Sequence, residues 1–299
     1  MKRLHRKRDA AALSSRLIRR PIQRMVWLFL LPTFAAFCIG FLYPFLKGAF
    51  LSFCKFKLTS QWTWVGFDNY VKAFSDSSFL HAFWYTALFA LVSVAFINVL
   101  AFTVAYFLTK GIKGSNLFRT VFFMPNLIGG IVLGYIWSMI FDGILSRYNT
   151  SILLNSTYGF WGLIILMAWQ QIGYMMIIYI AGLQAVPGDM LEAAKIDGAS
   201  EWKTLWDIII PNVMPSITIC TFLTLTNSFK LYDQNLALTN GRPYNGAIHT
   251  TEMLALNIVN SNTLKTKGIG QAKAVMFFVL VAIIGIFQMK STHDKEVQQ

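Results

Sequence analysis

Phe160–Pro211 reads FWGLIILMAWQQIGYMMIIYIAGLQAVPGDMLEAAKIDGASEWKTLWDIIIP. From Phe160 to Ala185 it carries no charge. That is enough apolar chain to cross a bilayer, which takes about 20 residues. Pro187-Gly188-Asp189 then turns the chain, and the composition changes at once. Asp189, Glu192, Asp197, Glu201 and Asp207 are five of the 13 acidic residues in the protein. Asp189 lies near a helix N-terminus and Glu192 in its first turn, where negative charge is favoured. Met190–Asp197 continues in helical pattern, with Ala193 and Ala194 as a small, flat face. Gly198 offers a hinge or C-cap. A second amphipathic stretch, Ala199–Ile210, is expected to end at Pro211, after which apolar sequence resumes. An apolar span, a compact acidic helical segment and a further apolar span describe one loop of a polytopic membrane protein.

The rest of the chain agrees. Of 299 residues, 56% are apolar and 13% charged, against about 25% charged in soluble domains. Six stretches are long enough to span. The first runs Met25–Leu46. The second lies between His81 and Lys110, and the third between Arg119 and Asp142. The fourth falls within Tyr148–Gly188, the fifth lies between Asp207 and Lys230, and the sixth runs from about Ile269 to Met289. Lys273, near the start of the sixth, is expected to snorkel to the interface. Pro32, Pro44, Pro125 and Pro215 fall inside spans. Each removes a backbone donor, which a bundle around a pathway tolerates better than a simple anchor does. The reading is an all-α integral membrane protein with six transmembrane helices.

The net charge of +13 suggests nucleic acid, but its location argues for a membrane. Lys2, Arg3, Arg6, Lys7, Arg8, Arg16, Arg19, Arg20 and Arg24 precede the first span. A basic block there marks a cytoplasmic N-terminus, with an RNA-binding arm as the alternative. The first apolar run is too long for a signal-peptide core and contains Pro32, so it reads as an uncleaved span. Both termini are then cytoplasmic. The domain reading is a basic arm over 1–24, a six-helix transmembrane domain over 25–290 with its acidic loop at 187–212, and a tail over 291–299. Cys38, Cys54 and Cys220 read as packing residues, and the four histidines form no metal cluster.

A short cytoplasmic helix with a small-residue face and an acidic rim suits a groove on another protein. The alternative, a helix lying on lipid, is disfavoured by its acidity. The spacing Glu192-Ala193-Ala194, three residues, Gly198, nine residues, Ile208, one residue, Ile210-Pro211 resembles the EAA loop of bacterial ABC importer permeases, E-A-A-x3-G-x9-I-x-L-P. Only Ile210 departs, where Leu is usual. Leu238-Thr239-Asn240-Gly241-Arg242-Pro243 and Val65-Gly66-Phe67-Asp68-Asn69-Tyr70 are similar to segments of the binding-protein-dependent carbohydrate-uptake permeases.

The resemblance covers about residues 20–290. It implies the type I importer (MetI-like) permease fold and uptake of a sugar or oligosaccharide by alternating access. It also implies a second permease subunit, two ATP-binding-cassette subunits and an extracytoplasmic binding protein. The coupling residues it implies are Glu192, Ala193, Ala194, Asp197, Gly198, Ile208 and Pro211.

Aromatic faces, amides and carboxylates suit a sugar. The candidates for the substrate pathway are Asn126, Trp169, Gln170, Gln171, Tyr174, Asn227, Lys230, Tyr232 and Asp233. Interhelical bonding is the competing role for each. Lys230 and Arg242 leave open a polyol phosphate or a sugar acid. No G-x4-G-K-[ST] sequence occurs, so energy must come from a partner; ATP and Mg are expected on the ATPase subunits, with no cofactor on this chain. The span cores lack Asp, Glu and His, which counts against an enzyme and against proton coupling. A sodium-coupled secondary carrier stays open on that ground, but it would have no need of the Glu192–Pro211 loop.

Overall fold

The computed structural model describes residues 28, 30–243, 251–263 and 266–293. The basic arm at 1–24 and the last part of the tail lie outside the described residues.

The apolar stretches form long helices. α1 (Leu30–Leu51) contains a π turn at Cys38–Leu42. A short hairpin follows, β1 (Cys54–Leu58) against antiparallel β2 (Gln61–Trp64), an addition to the expected all-helical architecture. Then come α2 (Asp68–Phe74), α3 (Ser77–Thr109), α4 (Ser115–Phe123), α5 (Gly130–Leu145), α6 (Ser156–Gln184) and α7 (Gly188–Ile196). α8 (Glu201–Phe229) crosses next, followed by α9 (Asp233–Leu238), α10 (Leu254–Asn260) and α11 (Lys267–His293). Among the described residues, five helices are long and apolar enough to cross a membrane, and the bent pair Ser115–Leu127 and Gly130–Tyr148 makes up to six.

That pair corrects the third expected span. It is not one rod: its halves meet at 100°. Pro125 lies in the 3-10 turn Met124–Leu127, where it can supply no amide hydrogen. Ile128 and Gly129 are extended, and the helix restarts at Gly130. The pair still crosses the bundle. Its start bonds the C-terminal end of α3, through Ser115 Oγ to the Leu108 carbonyl at 3.2 Å. The loop after its far end places Ile152 against Gly162, near the opposite end of α6.

The fifth span carries a second correction. The stretch from Ala199 does not stop at Pro211. Ser200 caps the helix by accepting from the Lys203 amide at 3.2 Å. The helix then widens into a π turn at Leu205–Ile209 and continues to Phe229. Pro211 lies two residues beyond that turn, in the first turn of the α-helical part, where a missing amide is tolerated.

α6 is the central helix. It packs between α3, α4 and α8, and contributes Leu163, Leu166, Met167, Met175, Met176 and Tyr179 to the main core. Gly173 explains how closely α4 approaches: a Cβ there would lie 1.9 Å from the Phe122 carbonyl oxygen. Small residues permit such contacts between spans. Across α3, α6 and α8, Asn98 ties the helices. It accepts from the Tyr179 hydroxyl at 2.8 Å and donates to Thr224 at 3.3 Å. α1 is the opposite case, with only 6% of its most apolar stretch buried.

Lys273 carries the third correction. It does not reach for the interface but is fully buried. Its ammonium donates to Asp76 at 2.6 Å, Asn257 at 3.0 Å and Ser261 at 2.6 Å. Isolated burial of a charge is costly, and this one persists because all three donors are used. Asn257 donates in turn to Ser78 and to the buried Glu252. The network clasps the starts of α3 and α11 to α10.

Candidate functional site

α7 turns two faces to different surroundings. Leu191 packs against the main core and Ala194 is buried, an i, i+3 pair on the inward face. Glu192, Ala193, Asp197 and Gly198 are exposed. The two alanines thus divide their work: Ala194 seats the helix and Ala193 lies on its outer surface. The end of α7 is set by Gly198, at φ +72°. Its amide donates to the Lys195 carbonyl at 3.1 Å, and the Ala199 amide to the Ala194 carbonyl at 2.9 Å. This pair of bonds closes a helix through a left-handed residue, a position that favours glycine. A Cβ at Gly198 would touch nothing within 4 Å, so backbone conformation alone selects glycine. Ile208 is half-buried in the π turn and Pro211 is exposed.

The outward surface is more apolar than its acidic residues suggest. Ile196 is 86% exposed and Trp202 68%, and Met190 and Trp206 are exposed beside them. The two indoles meet edge to face at 5.9 Å. The i, i+4 tryptophans on a charged segment were the visible signal in the sequence, and the candidate list omitted them. Exposed apolar groups rimmed by charge mark a surface that meets another protein or a membrane. Behind them lies a cleft of about 590 Å³, lined by Tyr106, Lys110, Leu191, Lys195, Glu201 and Ile209 among others. Lys110, capping α3, pairs with Glu201 at 2.7 Å and lies 4.6 Å from the Tyr106 ring centre. The Glu201 hydrogen bond, followed by that of Tyr106, holds the Lys110 ammonium above its ordinary value.

The amide candidates meet midway along the bundle. Gln170 and Gln171 are both nearly buried on α6. Gln170 donates to the Ile128 carbonyl at 3.3 Å, inside the break of the third span, and accepts from Gln234 of α9 at 2.8 Å. Gln171 accepts from Asn227 of α8 at 3.2 Å. These bonds join the helices and satisfy a carbonyl that the broken span frees. Gln234, absent from the candidates, completes the set; nothing in the sequence marks which distant amide pairs with Gln170.

Trp169 is 45% exposed and meets Trp137 of α5 edge to face at 5.7 Å. Asn126, Tyr174 and Tyr232 are half-buried, and Lys230 and Asp233 are exposed. The structure does not tie these five by hydrogen bond to the amide cluster. Asp233 opens α9, which lies so close to α5 that a Cβ on Gly130 would come within 2.9 Å of it.

The two remaining motifs are structural ties at the end of the bundle opposite α7. Asn69 donates to the Ser52 and Cys54 carbonyls at 2.8 and 3.0 Å, and the Tyr70 hydroxyl meets Ser52 Oγ at 2.7 Å. Asn240 and Gly241, both at positive φ, close α9, with the Gly241 amide on the Leu236 carbonyl at 2.8 Å.

Comparison with known proteins accords with this geometry. Residues 97–290 match the family described as binding-protein-dependent transport system inner membrane component. The chain is 39% identical to the probable starch degradation products transport system permease protein AmyD of Thermoanaerobacterium thermosulfurigenes over 91% of this chain and 95% of that one. It is 30% identical to the multiple sugar-binding transport system permease protein MsmF of Streptococcus mutans, over 91% and 96%. Among solved structures, a bacterial ABC transporter involved in the import of the acidic polysaccharide alginate shares the fold, with TM-score 0.77 at 19% identity over 94% of this chain and 99% of that one. A multi-pass bundle with a broken third span, a capped and outward-facing α7 and these matches leave one assignment: the chain belongs to the binding-protein-dependent inner membrane components, the permease subunits of ABC importers.

Proposed function

We propose that this chain is one of two permease subunits of an importer for a sugar or oligosaccharide, driven by separate ATPase subunits that dock on residues 187–212. A binding protein delivers the substrate at the opposite face, and both termini lie on the ATPase side. The observation that carries the docking claim is the outward surface of α7 and early α8. Glu192 and Ala193 stand there beside the exposed Ile196, Trp202 and Trp206. An apolar patch of that kind calls for a protein cover. The sugar class rests on relatives whose names refer to starch degradation products and multiple sugars. It is further supported by the aromatic and amide chemistry near the break in the third span.

In this reading the ATPases close, carry α7 with them, and α8 transmits the movement into the bundle. The path opens alternately to each side. Gln170, Gln171, Asn227 and Gln234 hold the helices that line it. Trp169, Tyr174, Asn126 and Tyr232 are the groups left to meet C–H faces and hydroxyls. A sugar acid or polyol phosphate is the second reading, favoured by the exposed Lys230 and Arg242.

The test is a mild-detergent purification of the tagged chain with its neighbours, paired with uptake. An ATPase and a second permease are expected to copurify. Glu192→Lys should lose the ATPase and uptake while the second permease is retained. If the chain purifies alone and transports without ATP, the reading fails. Competition of uptake by neutral oligosaccharides but not by sugar phosphates separates the two substrate classes.

A further inference from the structure

The hairpin β1–β2 is not accounted for by coupling or by the substrate path. Its register pairs Cys54 with Trp64 and Phe56 with Trp62, while Lys55 pairs with Thr63. Alternation along a strand therefore divides it into an aromatic face and a polar face. Cys54 and Phe56 are buried, but Trp62 is 48% and Trp64 60% exposed. Trp62 meets Phe50 edge to face at 5.0 Å, and Trp64 lies tilted against Phe50 at 5.9 Å and stacks on Phe53 at 5.5 Å. Phe53 meets Phe67 edge to face at 5.3 Å. Phe67, Val71 and Phe74 extend the exposed apolar surface onto α2.

This surface is not an isolated patch. Phe50 lies in the last turn of α1, and Leu42, Leu46 and Phe50 form an exposed i, i+4 stripe along that span. The ribbon runs without interruption from the body of a membrane-crossing helix onto the hairpin two residues beyond its end. Water cannot cover the lower part of such a ribbon, and the upper part carries tryptophan, the residue enriched where hydrocarbon gives way to headgroups. Trp84 of α3 and Trp161 of α6, both exposed, stand within the first turns of their helices at the same end of the bundle. Lys55 and Lys57 are exposed on β1, off the tryptophan face, and Lys267 donates to the Lys57 carbonyl at 3.0 Å.

We infer that the β1–β2 hairpin is a lipid anchor: its tryptophan face lies in the headgroup layer of the membrane leaflet on the side opposite α7, and its Lys55–Thr63 face meets water. The hairpin thereby fixes the far end of α1, which the protein itself hardly encloses. The inference depends on the membrane-spanning fold and not on the transported solute.

The assembled transporter in phosphatidylcholine–phosphatidylglycerol nanodiscs tests it. Spin labels are placed by Trp62→Cys and, separately, Thr63→Cys, in a Cys38→Ser background. Collisions with dissolved oxygen are compared with those of a water-soluble nickel chelate. The oxygen-to-nickel ratio should be several-fold higher at 62 than at 63. A ratio at 62 no higher than at 63 means the face is in water, free for a soluble binding protein, and overturns the inference. Low access to both probes at 62 means a protein covers it, the second permease first among them, and overturns it equally. A measurement without new cysteines guards against a damaged hairpin. The fluorescence difference between the unaltered chain and Trp62→Phe/Trp64→Phe should be quenched by lipids brominated near the headgroup. Failure of quenching by such lipids also sinks the proposal.

Discussion

The two ends of the bundle use charge in opposite ways. At the end with α10, Lys273, Glu252 and Asn257 are buried and bonded among themselves and to Asp76. At the end with α7, Glu192, Asp197 and Glu201 face outward beside Ile196 and Trp202. One end hides polar groups and the other displays apolar ones. Both arrangements cost free energy in a lone chain. At the first end the cost is met by internal hydrogen bonds, so the residues there hold the scaffold. At the second, under the proposed docking, it is met from outside by a partner. Burial, and not residue type, separates the two roles.

The sharpest way to break this contrast is Lys273→Met. It leaves Asp76 without its cation and Asn257 and Ser261 short of a donor. Removing one partner of a buried pair costs about 3–5 kcal/mol, and the 34% exposure of Asp76 brings the expected loss to the lower end of that range. Thermal unfolding of the solubilised assembly should show a fall in Tm of many degrees, and membrane yield should drop. An unchanged Tm would mean that the network is ornamental.

Gly198 should behave differently. Alanine there must take a left-handed backbone at a cost of about 1–2 kcal/mol, with no clash to add. Gly198→Pro cannot adopt that φ at all. Gly198→Ala is expected to lower coupled uptake partly and Gly198→Pro to abolish it, with insertion and Tm near those of the unaltered protein. A collapse in Tm would assign Gly198 to the scaffold instead.

Acid offers a gentler probe. Burial pushes the Asp76 carboxyl up, but the Lys273 and Ser78 hydrogen bonds outweigh it and bring the group below its ordinary value of 3.8. A depressed folded-state value stabilises the fold above the unfolded one. The increment is lost as pH falls through the lower, folded-state value. Tm should therefore decline on that acid limb, and Lys273→Met should flatten it. The smallest effect is expected of Lys110→Ala, since an exposed pair contributes little. Uptake should change by less than about twofold; a larger loss would make the Lys110–Glu201 tie part of coupling.

Much of this was legible beforehand because it depends on length and local chemistry. Apolar runs of bilayer length announced the helices. Pro187, Asp189 and Gly198 marked the start and stop of α7 from cap preferences alone. The break at Ile128 was not legible, since Pro125 bends a helix or ends it according to what waits for the freed carbonyl, and that is Gln170, distant in sequence. Pro211 misled for a related reason: a π turn just before it let the helix continue. Lys273 misread because a span's composition does not say which side faces lipid. The hairpin was hidden inside a loop of ordinary length, its alternation only a few residues long.

One consequence of the continuous α8 is mechanical. A helix of 29 residues is a rod about 43 Å long at 1.5 Å per residue. Its near end carries Trp202, and Asn227, close to its far end, bonds Gln171. A tilt of about 5° at one end displaces the other by about 4 Å over that length, enough to part a 3.2 Å hydrogen bond. The π turn at Leu205–Ile209 and Pro215 both interrupt the regular bonding of that rod, so under the proposed coupling their compliance sets how much of a movement at α7 reaches Asn227 and how much is lost as flexure.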